Sequence, residues 1–416
     1  MEKKDDCVER ETKNIGLRGV TVADTRISAV DGDKGRLIYR GYAIEEVAKN
    51  ASFEEVVYLL VMGRLPSAEE LKAWIEALNE AYELPNEVLL YLRSRVKGAR
   101  PMDVIQGAIT VLADHDPDVE AKGREAMVRA SLRLIARTMT VVTSWHHLRS
   151  GREPAVLDIR GSFARAFLKT LWSRNPTVDE ERLMDVLLVL HAEHSLNAST
   201  FAAREVASTQ AHLYASVSAA VGALSGPLHG GANARVMQML QQIGDREKVE
   251  GWVKARLAAG ERVMGFGHAV YKTVDPRAAI LRDIAERVLK GKPDEKWFDL
   301  ALHVEAVTTR ALREKKNLSL YPNVDFFSSA VLYSIGIPID MFPAFFAVAR
   351  TAGWCAHVIE ETFAEAQEKP ALYRPDAFYT GRDCGPYGCR WTPLEQRGAG
   401  CPSGHEFKGC NEEAKA

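Results

Sequence analysis

The chain is short of most features that would place it in a membrane, secreted or nucleic-acid-binding class. No apolar run approaches the roughly 18 residues a membrane span needs. The opening residues, MEKKDDCVERETKN, mix both signs of charge where a signal peptide would be apolar and a transit peptide poor in acids. Lys plus Arg (54) and Asp plus Glu (56) nearly cancel, leaving a net charge of −2, so no field of one sign recruits nucleic acid or anionic lipid. The expectation is a cytoplasmic protein with small-molecule partners and neither nucleic acid nor membrane. Asn and Gln together number only 17 in 416 residues, a depletion found in heat-adapted proteins. The zinc spacing HExxH and the CxxC pair are both missing, so no catalytic metal site is expected.

What is present is helix. A length of 416 residues with 46% apolar content suggests two or three domains at about 150 residues each. Apart from a turn-rich start that suggests a small hairpin around Asp31-Gly32-Asp33, strand candidates are few, and no regular strand–helix alternation suggests a parallel sheet. SFEEVVYLLVMG, SAEELKAWIEALNEAY and REAMVRASLRLIARTMTVVTSWHHL space apolar residues by three and four and are punctuated by Gly, Pro, Asn or Asp. The fold class is therefore all-α. Between 226 and 333 the composition shifts to glycine-containing loops that separate more charged helices. This pattern predicts a smaller domain (226–333) inserted into a large helical domain made of 1–225 and 334–416.

Those loops carry the chemistry. In SGPLHGGANARV, Gly230 and Gly231 free the backbone beside His229, and the helix that follows should disfavour imidazolium, leaving a neutral hydrogen-bond donor. In VMGFGHAVYKTVDPRA, His268 supplies a second polarising group, and Asp275-Pro276 reads as a helix cap with Arg277 in the first turn, an anion site. Lys272 is a candidate phosphate contact. In YPNVDFFSS, Asp325 borders an apolar run that could tune it as a base, although capping is the commoner use of such an Asp. HAEHSLNAST offers His191 and His194 on one face if the helix continues. Arg350 lies in the apolar FAVARTAGWCAH and needs an anionic partner, and Arg374 precedes a proline turn.

The ordered series HAEHSLNAST, SGPLHGGAN, MGFGHAVYKTVDPRA, YPNVDFFS, ARTAGW and RPDAFYTG strongly resembles the citrate synthases, with the related 2-methylcitrate synthases, from about Gly16 to Arg397. The resemblance implies the citrate synthase fold and the condensation of acetyl-CoA with oxaloacetate, with Si-type addition. It assigns oxaloacetate to His194, His268, Arg277, Arg350 and Arg374, the last reaching in from the other subunit of a homodimer. His229 would hold the thioester carbonyl, Asp325 would remove the methyl proton, and His268 would polarise the ketone. Val263, Met264, Gly265, Phe266, Gly267 and Lys272 would contact CoA. Acetyl-CoA is implied as a cosubstrate, with no permanently bound cofactor. Propionyl-CoA as the acyl donor is the first alternative, and a non-catalytic helical scaffold is the second. The tail from Asp383 to Ala416 runs beyond the usual family ending near Gln396-Arg397. Its Cys384, Cys389, Cys401 and Cys410, with Cys7 at the other end, could form disulfides, bind zinc with His405, or stay free.

Overall fold

The computed structural model describes residues 15–17, 19–154, 161–268, 270–292, 295–316, 320–377, 379, 391 and 393–396. The cysteines Cys7, Cys384, Cys389, Cys401 and Cys410, and His405, lie outside them. The suggested hairpin forms as β1 (Ser28–Asp31) and β2 (Arg36–Tyr39), paired antiparallel with Ser28 opposite Tyr39, and a third short strand β3 (Tyr42–Ala43) pairs with β2. The rest of the regular structure is helical. In chain order come α1 (Ile44–Asn50), α2 (Phe53–Met62), α3 (Ala68–Glu80), α4 (Asn86–Ser94), α5 (Pro101–Ala113), α6 (Arg124–Arg149), α7 (Phe163–Trp172) and α8 (Val178–His191). Then follow α9 (Ala198–Ser208), α10 (Leu213–Leu224), α11 (Ala232–Ile243), α12 (Val249–Ala258), α13 (Pro276–Leu289), α14 (Glu295–Lys316), α15 (Val324–Ser334) and α16 (Phe342–Thr362).

Local chemistry sets the starts of these helices. Ser52, Ser67 and Thr177 each form a reciprocal capping box with the glutamate three residues on, satisfying two otherwise orphaned N–H groups at the heads of α2, α3 and α8. Two helices are apolar on nearly every face and sit in the middle of the molecule. α16 is packed by α2, α6, α8, α9 and α10, and α15 by α11, α13 and α14.

One expectation fails at α8. The helix ends at His191, with Ala192 as its C-cap, so His194 lies in the loop beyond and does not share a helix face with His191. Ser195 takes a left-handed φ of 51°, which the helical ladder cannot continue through, and its N–H is held by the Ser28 hydroxyl of β1. Residues up to Tyr373 form one compact unit. The second unit begins at Arg374, and its described part holds a short 3-10 turn at Leu394–Gln396 and exposed Tyr379, Trp391 and Leu394.

Candidate active site

Three imidazoles, a carboxylate and two buried guanidiniums come from six places in the chain: the loop after α8, the α10–α11 turn, the loop before α13, the heads of α13 and α15, and the middle of α16. His194 and His268 stand edge to face with ring centroids 5.4 Å apart. Tyr271 packs on both and brings its hydroxyl to 3.2 Å from His194 Nε2. His268 Nδ1 accepts the backbone N–H groups of Val270 (3.0 Å) and Tyr271 (3.1 Å). A backbone N–H can only donate, so Nδ1 is bare and the ring proton sits on Nε2, ready to be given to an acceptor. Burial, reinforced by the Arg277 charge, lowers the His268 pKa to about 4. Burial, then Arg277, His268 and Arg350, holds His194 well below the ordinary histidine range. A cavity of about 290 Å³ lies against His268, Tyr271, Lys272 and Tyr321.

The same logic fixes His229. Its Nε2 accepts the backbone N–H of Ser199 at 3.3 Å and lies 2.8 Å from the Ser199 hydroxyl, so the proton of the neutral ring sits on Nδ1. Trp354 Nε1 donates to that hydroxyl at 3.2 Å and anchors it. Ser199 stands in the first turn of α9, behind the Asn197 cap. The helix that meets the His229 ring is therefore α9 and not the α11 that follows it, because the contact is tertiary. Burial and the Arg350 charge lower the His229 pKa to about 4.

Asp325 is the second residue of α15, and the cap is Asn323, whose side chain accepts the Phe326 N–H at 3.2 Å. Capping thus leaves Asp325 free. Its carboxylate makes no hydrogen bond among the described residues, and desolvation raises its pKa to about 6 against the opposing pull of Arg277. Its environment is that of a base kept near its working range.

The two guanidiniums differ. Arg277 at the head of α13 pairs with its own helix cap, Nε to Asp275 Oδ1 at 3.0 Å and Nη2 to Oδ2 at 2.9 Å. Asp275 Oδ2 also accepts the Val324 N–H at 3.1 Å, tying the head of α13 to that of α15. Arg350, 1% exposed, donates Nε–H to the His191 carbonyl at 2.7 Å and lies over Phe346. It has no ion pair among the described residues. Burial lowers its pKa to about 10, with Glu193 the largest charge acting against that.

The sequence did not single out Tyr271, Ser199 or Trp354, although all three lie inside the motifs it flagged. Only the fold shows that they touch the imidazoles. The glycine-rich loop is stitched to the loop before α15. Gly267 N–H reaches the Tyr321 carbonyl (2.9 Å), Asn323 N–H reaches the Gly265 carbonyl (2.9 Å), and Phe266 bridges to Pro322. Gly265 and Gly267 have φ of 80° and 84°. Val263 is buried, Met264 and Phe266 are half-buried, and Lys272 is exposed, its Nζ 2.7 Å from Asp33. Arg374 is exposed and opens the second unit. Cys355 is a buried free thiol in α16, pushed up to about 12 by burial. Among the described residues no three His, Cys, Asp or Glu side chains gather as a metal site, and no helix is long and apolar enough to cross a membrane.

Comparison with known proteins gives this arrangement a context. The family model described as citrate synthase, C-terminal domain, matches residues 16–376. The chain is 38% identical to citrate synthase 2 of Bacillus subtilis, over 93% of its own length and all of that protein. It is 39% identical to the citrate synthase of Haloferax volcanii, over 92% of its own length and 98% of that one. The solved citrate synthase of Pyrobaculum aerophilum superposes with a TM-score of 0.84 at 36% identity, covering 92% of this chain and 95% of that one. The Thermoplasma acidophilum enzyme, solved with carboxymethyl coenzyme A and oxaloacetate, superposes with a TM-score of 0.83 at 32% identity, covering 93% of this chain and all of that one. An all-α fold with paired neutral imidazoles, a raised carboxyl group and an unpaired buried guanidinium is thus found in a chain that belongs to the citrate synthase family.

Proposed function

We propose that this chain condenses acetyl-CoA with oxaloacetate and, after hydrolysis of the citryl thioester, releases citrate and CoA. The observation that carries the reading is Arg350, a guanidinium held in the core with no carboxylate of its own beside neutral imidazoles. A substrate carboxylate is the missing partner. Arg277 and Arg374 complete the grip on a keto diacid, Arg374 reaching across a homodimer, and His194 adds a further contact.

The reaction begins with enolisation. Asp325 takes a methyl proton while His229 Nδ1–H donates to the thioester oxygen, so the charge that builds there meets a fixed donor. Removing one such donor typically costs about 10²–10³ in rate. The enol carbon attacks the ketone, whose oxygen is met by the Nε2–H of His268, with the Si-type geometry of the family. The 263–267 loop and Lys272 hold CoA. The site lies between a large domain (1–225 and 334–416) and a small one (226–333), and closing the cleft between them excludes water. The Thermoplasma acidophilum enzyme's complex with oxaloacetate and a CoA analogue supports both substrates.

Thiol release from acetyl-CoA and from propionyl-CoA, each with oxaloacetate, tests the reading. Faster turnover of acetyl-CoA is expected. A preference for propionyl-CoA would make the chain a 2-methylcitrate synthase, and no release from either would remove the activity. The shared site has its own test, in which inactive Arg374→Ala and Asp325→Asn subunits are mixed. Heterodimers are expected to recover partial activity, and verified heterodimers without activity would place Arg374 in its own subunit's site.

A further inference from the structure

The N-terminal hairpin touches both loops that carry His194 and His268, and no step of the proposed reaction uses it. On one side, the fully buried Tyr39 hydroxyl lies 2.8 Å from the Glu193 carbonyl, which accepts its proton, and takes the Glu193 N–H at 3.2 Å. Ser28, across from it in the β1–β2 pair, donates its hydroxyl to Glu193 Oε1 at 2.9 Å and accepts the Ser195 N–H at 3.1 Å. Of the two residues on either side of His194, Glu193 is therefore held by both β1 and β2, and Ser195 by β1. Ser195, the residue with the left-handed φ of 51°, also donates its N–H to Glu193 Oε1. A non-glycine residue stays in that region only when its surroundings fix it from several directions. His357 Nε2, 3.1 Å from the same Oε1, completes the hold on Glu193.

On the other side, the hairpin turn lies directly on the backbone of the His268 loop. The Gly32 carbonyl accepts the Lys272 N–H at 2.9 Å. A Cβ on Gly32 would overlap the Val270 carbonyl, and one on Gly35 would crowd Val274. Val270 and Tyr271 are the residues whose N–H groups set the His268 tautomer. The hairpin thus spans the two loops whose imidazoles face each other.

We infer that Ser28 and Tyr39 are positioning residues for the keto-acid half of the site, the hairpin acting as a template that sets His194 and His268 at their spacing. The inference rests on the proposed condensation. It assigns no chemistry to the hairpin, and it separates the two substrates: the keto acid meets His194 and His268, whereas the thioester meets His229, which is held by α9. Loosening the hairpin should therefore raise KM for oxaloacetate and leave KM for acetyl-CoA nearly unchanged.

The test compares Ser28→Ala, Tyr39→Phe and the hydroxyl-retaining Ser28→Thr with the parent chain. Ser28→Ala and Tyr39→Phe keep the packing and remove only the hydrogen bonds. Each is expected to raise KM for oxaloacetate about tenfold, the effect of about 1.4 kcal/mol, with KM for acetyl-CoA changed less than twofold. Ser28→Thr is expected to restore at least half of the lost affinity. An equal rise in both KM values, or no rise in either, would overturn the positioning role while leaving the parent activity intact. Gly32→Ala perturbs the same template from the His268 side, where the Gly32 carbonyl also holds the backbone of Lys272, and is expected to raise both KM values; an unchanged KM for oxaloacetate in this variant would also count against the template. An inactive parent chain would instead overturn the condensation itself, so the two failures are distinguishable.

Discussion

Arg204 and Arg350 are both fully enclosed guanidiniums on neighbouring helices, α9 and α16, yet their surroundings are opposite. Arg204 is closed. Its Nη1 meets Glu360 Oε1 at 2.8 Å and His357 Nδ1 at 3.1 Å, and its Nη2 meets Glu361 Oε2 at 2.6 Å. The Tyr373 hydroxyl supports Glu361 at 2.8 Å, and the Arg26 N–H supports Glu360 at 2.9 Å. Arg350 is open, with a carbonyl on Nε, an aromatic face beneath it and no ion-paired carboxylate among the described residues. A buried charge with its counter-charges in place belongs to the architecture, and one without them is kept for something that arrives.

The comparison can be broken in several ways. The largest effect is expected at the acidic member of the open cluster. Asp325→Asn should lower kcat by up to about 10⁴, the upper end of what a positioned base contributes, with oxaloacetate binding retained in calorimetry. Turnover within tenfold of the parent would remove Asp325 from the base role. Next come the two arginines themselves. Arg350→Met should lower kcat/KM for oxaloacetate about 10³-fold, consistent with about 2–5 kcal/mol for truncating one partner of a buried charge pair. Its unfolding free energy should fall by less than that of Arg204→Met, because Arg350 makes no ion pair among the described residues and Glu193, the carboxylate it acts on, keeps Ser28 and His357. Arg204→Met strands Glu360 and Glu361 and should cost about 3–5 kcal/mol in denaturant unfolding. Equal destabilisation by the two substitutions would erase the distinction.

A smaller effect concerns stability and pH. Asp325 has a folded pKa raised to about 6, above the ordinary carboxyl value, so the folded state binds its proton more tightly than the unfolded state does. Stability is therefore lost as pH rises from about 4 through 6, and the loss is complete above that window. Asp325→Asn should recover on the order of 2 kcal/mol at pH 8 and nothing near pH 4, as read from urea unfolding at both values. The same group gives the smallest prediction: kcat/KM for acetyl-CoA should fall tenfold per unit below about pH 6. With His229 and His268 both lowered to about 4, neither ring changes its charge above that limb. An acid limb near 4 would assign the titrating base elsewhere.

Periodicity made most helices legible, and the quoted motifs brought His194, His229, His268, Arg277, Asp325 and Arg350 to notice. Three things were not legible, each because it depends on contacts distant in sequence. That α9 and not α11 meets His229 follows from a turn folding back onto Ser199, thirty positions away. The stop of α8 at His191 depends on Ser195 being held by Ser28 from the N-terminal strand. Arg350 stood out as a charge in an apolar stretch, but the closure of Arg204 had no sequence signal, since its partner Glu360 lies 156 positions away on α16. The pairing of Arg277 with Asp275 was closer to the surface of the sequence. An Asp-Pro-Arg helix start suggests the cap, but not that the cap carboxylate would also neutralise the arginine.

The most direct measurement is the crystal structure of the chain with oxaloacetate and a non-reactive acetyl-CoA analogue. The account predicts a substrate carboxylate on Arg350, the ketone oxygen on His268 Nε2, the thioester oxygen on His229 Nδ1, and the Asp325 carboxylate within van der Waals reach of the methyl carbon. A complex with Arg350 still unpaired, or with the acyl carbon far from both His229 and Asp325, would contradict it.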